Sequence, residues 1–539
     1  MDGERHRHRD RKDIFTVDVT DMIVILAATL AMLMVTWLAL WVKGRRQGYN
    51  FFRRYGIDGP TPDLLWGNWK QLKKDRIAVL EEWIAKYGKV FGFYKGTVPY
   101  LVISDVDMIK ECFIKESGIF YDRPRTALEV KPYSKTLLFL RGKDWKHVRT
   151  VLNPSFSAAK MKLMTPIISR CVHDFMDVLK EKAETGEKLD VMQVSQGLSL
   201  DVIANCALAW QLDGQKKPDN PLAQLLRGIL YEAETSLTMS VVAFPFLGKC
   251  ATWSYAGTVH YRRTWQIIEN VRRVVEERRR SQKTGSVGSS TRRVDILQLL
   301  LEDQEVAKAR KAADASRGTA NQPGGLFEPI DDDTLLANSL LFLMAGFETT
   351  ASALSFILHL MAQHPEEQDK VREELLRMYP VDDDLDYGQL QQLERLDMLV
   401  KEALRLYPPV TMLVSRHCRA DATILGQFFP AGCEVLAPVW HVHHDPQLWP
   451  EPFRFNPERF SPEVAKGIHP GAFMPFGIGP KSCIANRFAL LELKAALCKF
   501  LRTYEVLSCS RMEEPIELIV QTMIIRPKVP IQVKLRRRM

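Results

Sequence analysis

Hydrophobic positions fall into two patterns along this chain. From Met22 to Val42 they run on for 21 residues without a charge. At 1.5 Å rise per residue, such a helix spans a hydrocarbon core of roughly 30 Å. The length of the run, and the lack of a small-residue cleavage site after it, predict a retained transmembrane anchor at 22–42 rather than a secretory leader. Beyond it, apolar residues recur at helical spacing, as in Lys160–Lys182 and Thr258–Arg280. Strand-like stretches are short: Val90–Tyr94, Tyr100–Ser104 and Ile519–Ile525. The expected fold class is mainly α with a smaller β region (α+β), behind a single N-terminal transmembrane helix.

The same pattern divides the chain. A short polar tail (1–21) precedes the anchor, and a basic, proline-bearing hinge (43–68) follows it. Prolines in Gly59-Pro60-Thr61-Pro62 fix φ and make that connector stiff and non-helical. No internal repeat and no clear linker divides residues 69–539, so they read as a single domain. Within it, 281–327 reads as a partly mobile loop. Ser281–Ser290 is rich in Ser and Gly, Ala307–Gly325 is charged and then Gly- and Pro-bearing, and a short helix lies between them at Asp295–Glu302.

Charge and cysteine usage narrow the function class. The 539 residues carry a net charge of +9, which fits an anionic membrane surface or an acidic protein partner. No basic stretch is interleaved with aromatics, so nucleic acid is not an expected partner. The nine cysteines are scattered without a CxxC pair, which argues against a disulfide scaffold or a zinc site and for a reducing setting. Lys and Arg counts on the two flanks of the anchor tie, at five each. The C-terminal cations from Lys43 to Arg54 lie closer to the membrane, which favours a cytosolic body.

Chemistry concentrates at Cys483. It sits in Phe476-Gly477-Ile478-Gly479-Pro480-Lys481-Ser482-Cys483-Ile484-Ala485, ahead of an apolar helix. A lone thiolate in a glycine-bearing loop is how a protein presents sulfur to a haem iron. The spacing Phe476-x-x-Gly479-x-x-x-Cys483 alone arises by chance in roughly a few per cent of chains this long, and most buried cysteines are inert. Three further features shift the balance. The apolar helix Leu340–His359 is interrupted by Ala345-Gly346-Phe347-Glu348-Thr349-Thr350. A carboxylate and two hydroxyls are costly to bury there without partners. Gly346 would let a flat ligand or O₂ approach the backbone, and a threonine hydroxyl beside that gap can pass protons fed by Glu348. The bland alternative is a threonine back-bond in an ordinary core helix. The second feature is Glu402-x-x-Arg405, one of several such spacings, set apart by Tyr407-Pro408-Pro409 after it and by Arg459 in Pro457-Glu458-Arg459-Phe460. These three charges would form a buried network that holds the cysteine loop. The third is Trp145 and Arg149, at i and i+4 on one helix face, where both could reach a carboxylate such as a haem propionate.

In this order and spacing, the motifs resemble the cytochrome P450 superfamily over essentially the whole chain. The cysteine-loop style is similar to the vertebrate microsomal drug- and steroid-oxidising group that includes thromboxane synthase, and Leu137–Trp145 is similar to thromboxane synthase itself. The resemblance implies haem b (iron protoporphyrin IX) between the long central helix and the cysteine loop, with Cys483 as axial thiolate and metal ligand. It implies Arg123, Trp145, Arg149, Arg416 and Lys481 as propionate contacts, with Phe476 also at the cofactor. It implies Thr349 as the oxygen-activating alcohol and Glu348 as its acidic neighbour. Ala345, Phe347, Val410, Met412, Thr522 and Met523 fall in segments that line the substrate pocket. Two positions depart from the pattern. Lys481 replaces an arginine and loses its bidentate fork, and Ala485 replaces a glycine, so both bear on haem seating and redox tuning. The implied function is a membrane-bound monooxygenase of apolar small molecules, at the endoplasmic reticulum with a cytosolic catalytic domain. Electrons would come from NADPH through cytochrome P450 reductase, with cytochrome b5 as a further partner. The alternatives are a thromboxane-synthase-like isomerase of lipid endoperoxides and a non-enzymatic haem or lipid carrier. Thr349 favours the first, because peroxide isomerisation needs neither dioxygen nor a proton relay.

Overall fold

Helices form wherever the apolar spacing asks for them, and they end where caps intervene. The computed structural model describes residues 19–125, 129–217, 219–232, 236–283, 295–316, 329–509, 516–521 and 523–538. The anchor is a helix, α1 (Val19–Gly48), longer at both ends than the uncharged run. Its apolar window has no buried residue, as a lipid-facing helix requires. Its C-terminal part is tied to the body. Trp41 stacks on Phe244 at 5.6 Å, and Arg45 donates to the carbonyls of Leu65 (3.2 Å) and Ala243.

The helices that build the interior are α2 (Gly142–Leu152), α3 (Ala158–Thr185), α4 (Val191–Leu208), α5 (Pro221–Tyr231), α6 (Val259–Lys283), α7 (Ile296–Ser316), α8 (Asp332–Gln363), α9 (Glu394–Leu406) and α10 (Asn486–Thr503). Side chains at their starts satisfy otherwise orphaned backbone donors. Asp190 accepts from the Met192 and Gln193 amides at α4, Asn220 from Leu222 at α5, and Asp331 from Thr334 at α8. α8 is apolar on nearly every side and buried accordingly, so it forms the axis of the main core. Gly346 sits where α8 crosses α4. A Cβ there would lie 2.7 Å from Ile203 Cγ1 and 2.8 Å from its Cδ1. The glycine thus serves close helix packing, which replaces the expected role of admitting a ligand to the backbone.

The β region is a sheet of order β1 (Val90–Lys95), β2 (Val98–Ile103), β4 (Glu434–Leu436) and β3 (Ser415–His417). β2 and β4 run parallel with Tyr100 opposite Glu434, and the other pairs are antiparallel. Near the C-terminus, β5 (Leu518–Gln521) and β6 (Ile524–Pro527) form a hairpin. The sequence suggested one strand over 519–525. The reversal carries no glycine or proline to mark it, so periodicity alone could not show it. A second expectation also changes. The helix expected to stop at Glu302 runs on to Ser316, because Ala307–Ala313 is rich in Ala, Lys and Arg, which are strong helix formers despite their charge. Of the partly mobile loop expected over 281–327, residues 284–294 and 317–327 lie outside the described residues.

Candidate functional site

The cysteine loop is a tight backbone construction. Gly477 and Gly479 adopt φ of +75° and +71°, which side chains resist. At Gly479 a Cβ would fall 2.0 Å from the Phe113 carbonyl oxygen, so only glycine lets the loop close against that segment. The Cys483 amide donates to the Phe476 carbonyl at 2.8 Å and turns the thiol back over the loop. α10 begins three residues later. Ala485 caps it at φ −99°, half-buried against the main core, so alanine fits there without backbone strain. Cys483 lies deep within the molecule and still keeps an exposed surface, so its sulfur faces an internal space. Burial raises its pKa, while the Ala485 amide and the Arg149 and Arg123 guanidinium groups pull it down.

Cations converge on this loop. Arg123 donates to the Lys481 carbonyl at 2.8 Å, Arg149 to Ser482 at 3.0 Å, and Arg416 to Ile478 at 2.9 Å. Lys481 Nζ lies 3.6 Å above the Trp145 ring and 3.7 Å from Asp122, with no hydrogen-bond partner. The Nε of Arg123 is buried and also lacks one. Burial and mutual repulsion push Arg123 down to about 10 and Arg416 to about 9, and Lys481, chiefly through burial, to about 7. Desolvation lowers Arg149 as well. Among the described residues, Asp122 is the one carboxylate that pairs with these groups. Such a concentration of buried positive charge is costly unless anions join it. Two propionates and a thiolate are anions of the right kind, so the residues present fit haem. Trp145, expected as a propionate contact, packs here as the floor beneath Lys481.

The charged network expected at Glu402 is present. Arg405 makes a bidentate pair with Glu402 at 2.7 and 2.8 Å, with both side chains 0% exposed. Arg459 Nε lies 3.3 Å from Glu402 Oε1. Arg405 also donates to the carbonyls of His443 (2.7 Å) and Pro452 (2.8 Å), and the Asn456 amide donates to Glu402 at 3.0 Å. His443 then joins this network to the cysteine loop. Its Nε2 accepts from the Met474 amide at 2.9 Å, which leaves Nδ1 to donate to the Arg405 carbonyl at 3.1 Å. Burial holds His443 neutral, with its pKa lowered to about 3. Sequence reasoning missed His443. Its signal was the cluster His441-Val442-His443-His444-Asp445, beside no motif.

On α8 the motif splits between two faces. Ala345 is exposed and Thr349 is half-buried on a mostly buried helix, and Thr349 donates to the Ala345 carbonyl at 2.6 Å. The back-bond considered from the sequence therefore exists, on the open face. Phe347 is corrected: it is 0% exposed, packs in the main core, and lines no open space. Glu348 takes a different face of the helix. One residue along a helix turns the side chain by about 100°, and Glu348 is buried away from Thr349. It accepts from the Tyr231 hydroxyl at 2.6 Å and from Gln196 Nε2 at 2.8 Å. Among the other pocket candidates, Val410 bridges to Ile524, and the Thr411 amide donates to the Met523 carbonyl at 3.3 Å, so Val410 and Met523 are brought together. Met412 packs instead with Trp69, Leu72 and Leu436 beside the sheet. Thr522 lies outside the described residues.

Comparison with known proteins agrees with this geometry. The family model for cytochrome P450 matches residues 57–535. Cytochrome P450 3A6 of Oryctolagus cuniculus is 33% identical over 512 residues, covering 95% of this chain and 96% of that protein. Cytochrome P450 3A29 of Sus scrofa is 32% identical over 521 residues, covering 96% and 98%. Cytochrome P450 3A7 of Homo sapiens is 33% identical over 500 residues, covering 92% and 95%. A thiol turned into an internal space, a cationic cradle around it and a match along nearly the whole chain lead to one conclusion: this chain belongs to the cytochrome P450 family and is a haem-binding monooxygenase.

Proposed function

We propose that this monooxygenase is bound to the endoplasmic reticulum membrane through α1, with its catalytic body in the cytosol. In this reading it inserts one oxygen atom from O₂ into an apolar small molecule: a xenobiotic, a steroid or a lipid. Electrons come from NADPH through cytochrome P450 reductase, and cytochrome b5 is an additional donor. The names of its relatives place it beside the P450 3A proteins, and the exposed apolar anchor supports the membrane site. The observation that carries the reading is Cys483, facing an internal space amid Arg123, Arg149, Arg416 and Lys481.

Bound haem supplies the activation of dioxygen; the chain supplies position, charge and protons. Cys483 would hold the haem iron through its sulfur, and Arg123 and Arg149 favour its thiolate form. Arg416 and Lys481 complete the charge that receives the propionates. Thr349 holds a proton at Oγ1 on the open face of α8, and Glu348 resupplies it. Ala345, Val410 and Met523 present apolar surface that orients the substrate and excludes water.

The reduced, CO-bound protein should show a Soret band far to the red of histidine-ligated haem, and Cys483→Ala should lose it. A protein that takes up no haem would overturn the reading. With reductase and NADPH, Thr349→Ala should divert electrons from product to hydrogen peroxide. Unchanged coupling there would point to peroxide isomerisation.

A further inference from the structure

Glu348 is held in a closed ring of side chains that no part of the sequence motif contains. Tyr231, the last residue of α5, donates to Glu348 Oε1 at 2.6 Å. Gln196 on α4 gives one N–H to Glu348 Oε2 at 2.8 Å and the other to the Tyr231 oxygen at 3.0 Å. Arg227, one turn before Tyr231, fixes Gln196 by donating to its Oε1 at 3.0 Å. Arg526 on β6 lies over the Tyr231 ring at 3.6 Å. Four elements therefore meet at one carboxyl that is 0% exposed. A typical buried carboxyl needs only to be satisfied, and one donor per oxygen would do. Here the two donors also bond each other, which fixes both the angle and the distance of the carboxyl.

We infer that Tyr231 is a positioning residue for oxygen insertion: from α5, its hydroxyl holds Glu348 and thereby sets the supply of protons to Thr349. The inference rests on the proton-relay reading of Thr349 given above. The charged and titratable groups facing Glu348 are Tyr231 and Arg227 from α5 and Arg526 from β6; α4 contributes the neutral Gln196. Burial favours the neutral carboxyl, whereas the Tyr231 hydrogen bond, Arg526, Gln196 and Arg227 favour the ionised one. Burial and the Glu348 charge drive the Tyr231 phenol far above its ordinary pKa, so it stays a donor. Removing that hydroxyl leaves the carboxyl buried with one donor fewer. That tips it further towards the protonated form that burial already favours, so it gives up its proton less readily.

The test uses the full-length protein with reductase, NADPH and an oxidised substrate. Tyr231→Phe should keep haem content, the CO spectrum and the substrate-induced spectral shift. Product per NADPH should fall about tenfold, the effect of one lost charge-assisted hydrogen bond, and peroxide should rise in step. Gln196→Leu, which opens the ring from α4, should do the same. Tyr231→Phe placed on Glu348→Gln should add nothing. In the haem-free protein, infrared spectra of Tyr231→Phe should gain a protonated-carboxyl band that Glu348→Gln removes. Normal coupling in Tyr231→Phe beside uncoupled Thr349→Ala overturns the inference alone. Normal coupling in Thr349→Ala overturns the relay reading and the inference with it.

Discussion

Two buried charge clusters flank the cysteine loop, and they are built on opposite principles. Around Glu402, the carboxylate and its two guanidinium groups pair within the chain, through a bidentate Arg405, a nearby Arg459 whose Nε makes no hydrogen bond, and backbone groups at His443, Pro452 and Asn456. Around Lys481, four cations crowd together with Asp122 as their partner, and the ammonium hangs over Trp145 without a hydrogen bond. The first cluster is complete within the protein and serves the fold. The second is complete only with an anion the chain does not encode. The difference shows why counting buried ion pairs says little, whereas counting buried charges left over points to a ligand.

Arg405→Ala should break the comparison hardest. It strands Glu402 without its partner, at about 3–5 kcal/mol for a severed buried pair. Expression should collapse, or the haem-free melting temperature should fall steeply. Arg416→Ala should act in the opposite sense on the empty protein. It removes a desolvated cation from a like-charged group, so haem-free protein should melt slightly higher, by about 1 kcal/mol, while haem transfers to an acceptor protein faster. A lower melting temperature in that variant would mean that the cations are structural after all. A third effect sharpens the contrast from the anionic side. Glu492 on α10 is 1% exposed, accepts from Ser199 at 2.7 Å, and has no partner for its second oxygen. Burial raises its pKa to about 8 from an ordinary 4.5. The folded state therefore binds a proton that the unfolded chain gives up between those values. Stability from this group is fully present below pH 4.5 and is lost as pH rises through 8. Denaturant titrations across that range should show the decline, and Glu492→Gln should flatten it.

The sequence carried the helices, because their apolar spacing is long and regular, and it carried the Cys483 loop and the Glu402–Arg405–Arg459 set, because each is local or follows a fixed order. It failed where meaning depends on what lies opposite. Gly346 looked like room for a ligand until Ile203 filled the space. Phe347 looked like a pocket residue until helical rotation sent it into the core. Tyr231, Gln196 and His443 belong to no motif; each matters through partners 31 to 152 residues away. No reading along the chain could pair them.

His443 has one further consequence. With one nitrogen on the Arg405 carbonyl and the other on the Met474 amide, it is a strut between α9 and the segment that leads into the cysteine loop. Strain introduced at either end must be felt at the other. The colour of the bound haem thus becomes a gauge for damage in a distant part of the protein, and partial loss of thiolate character should register before the protein unfolds.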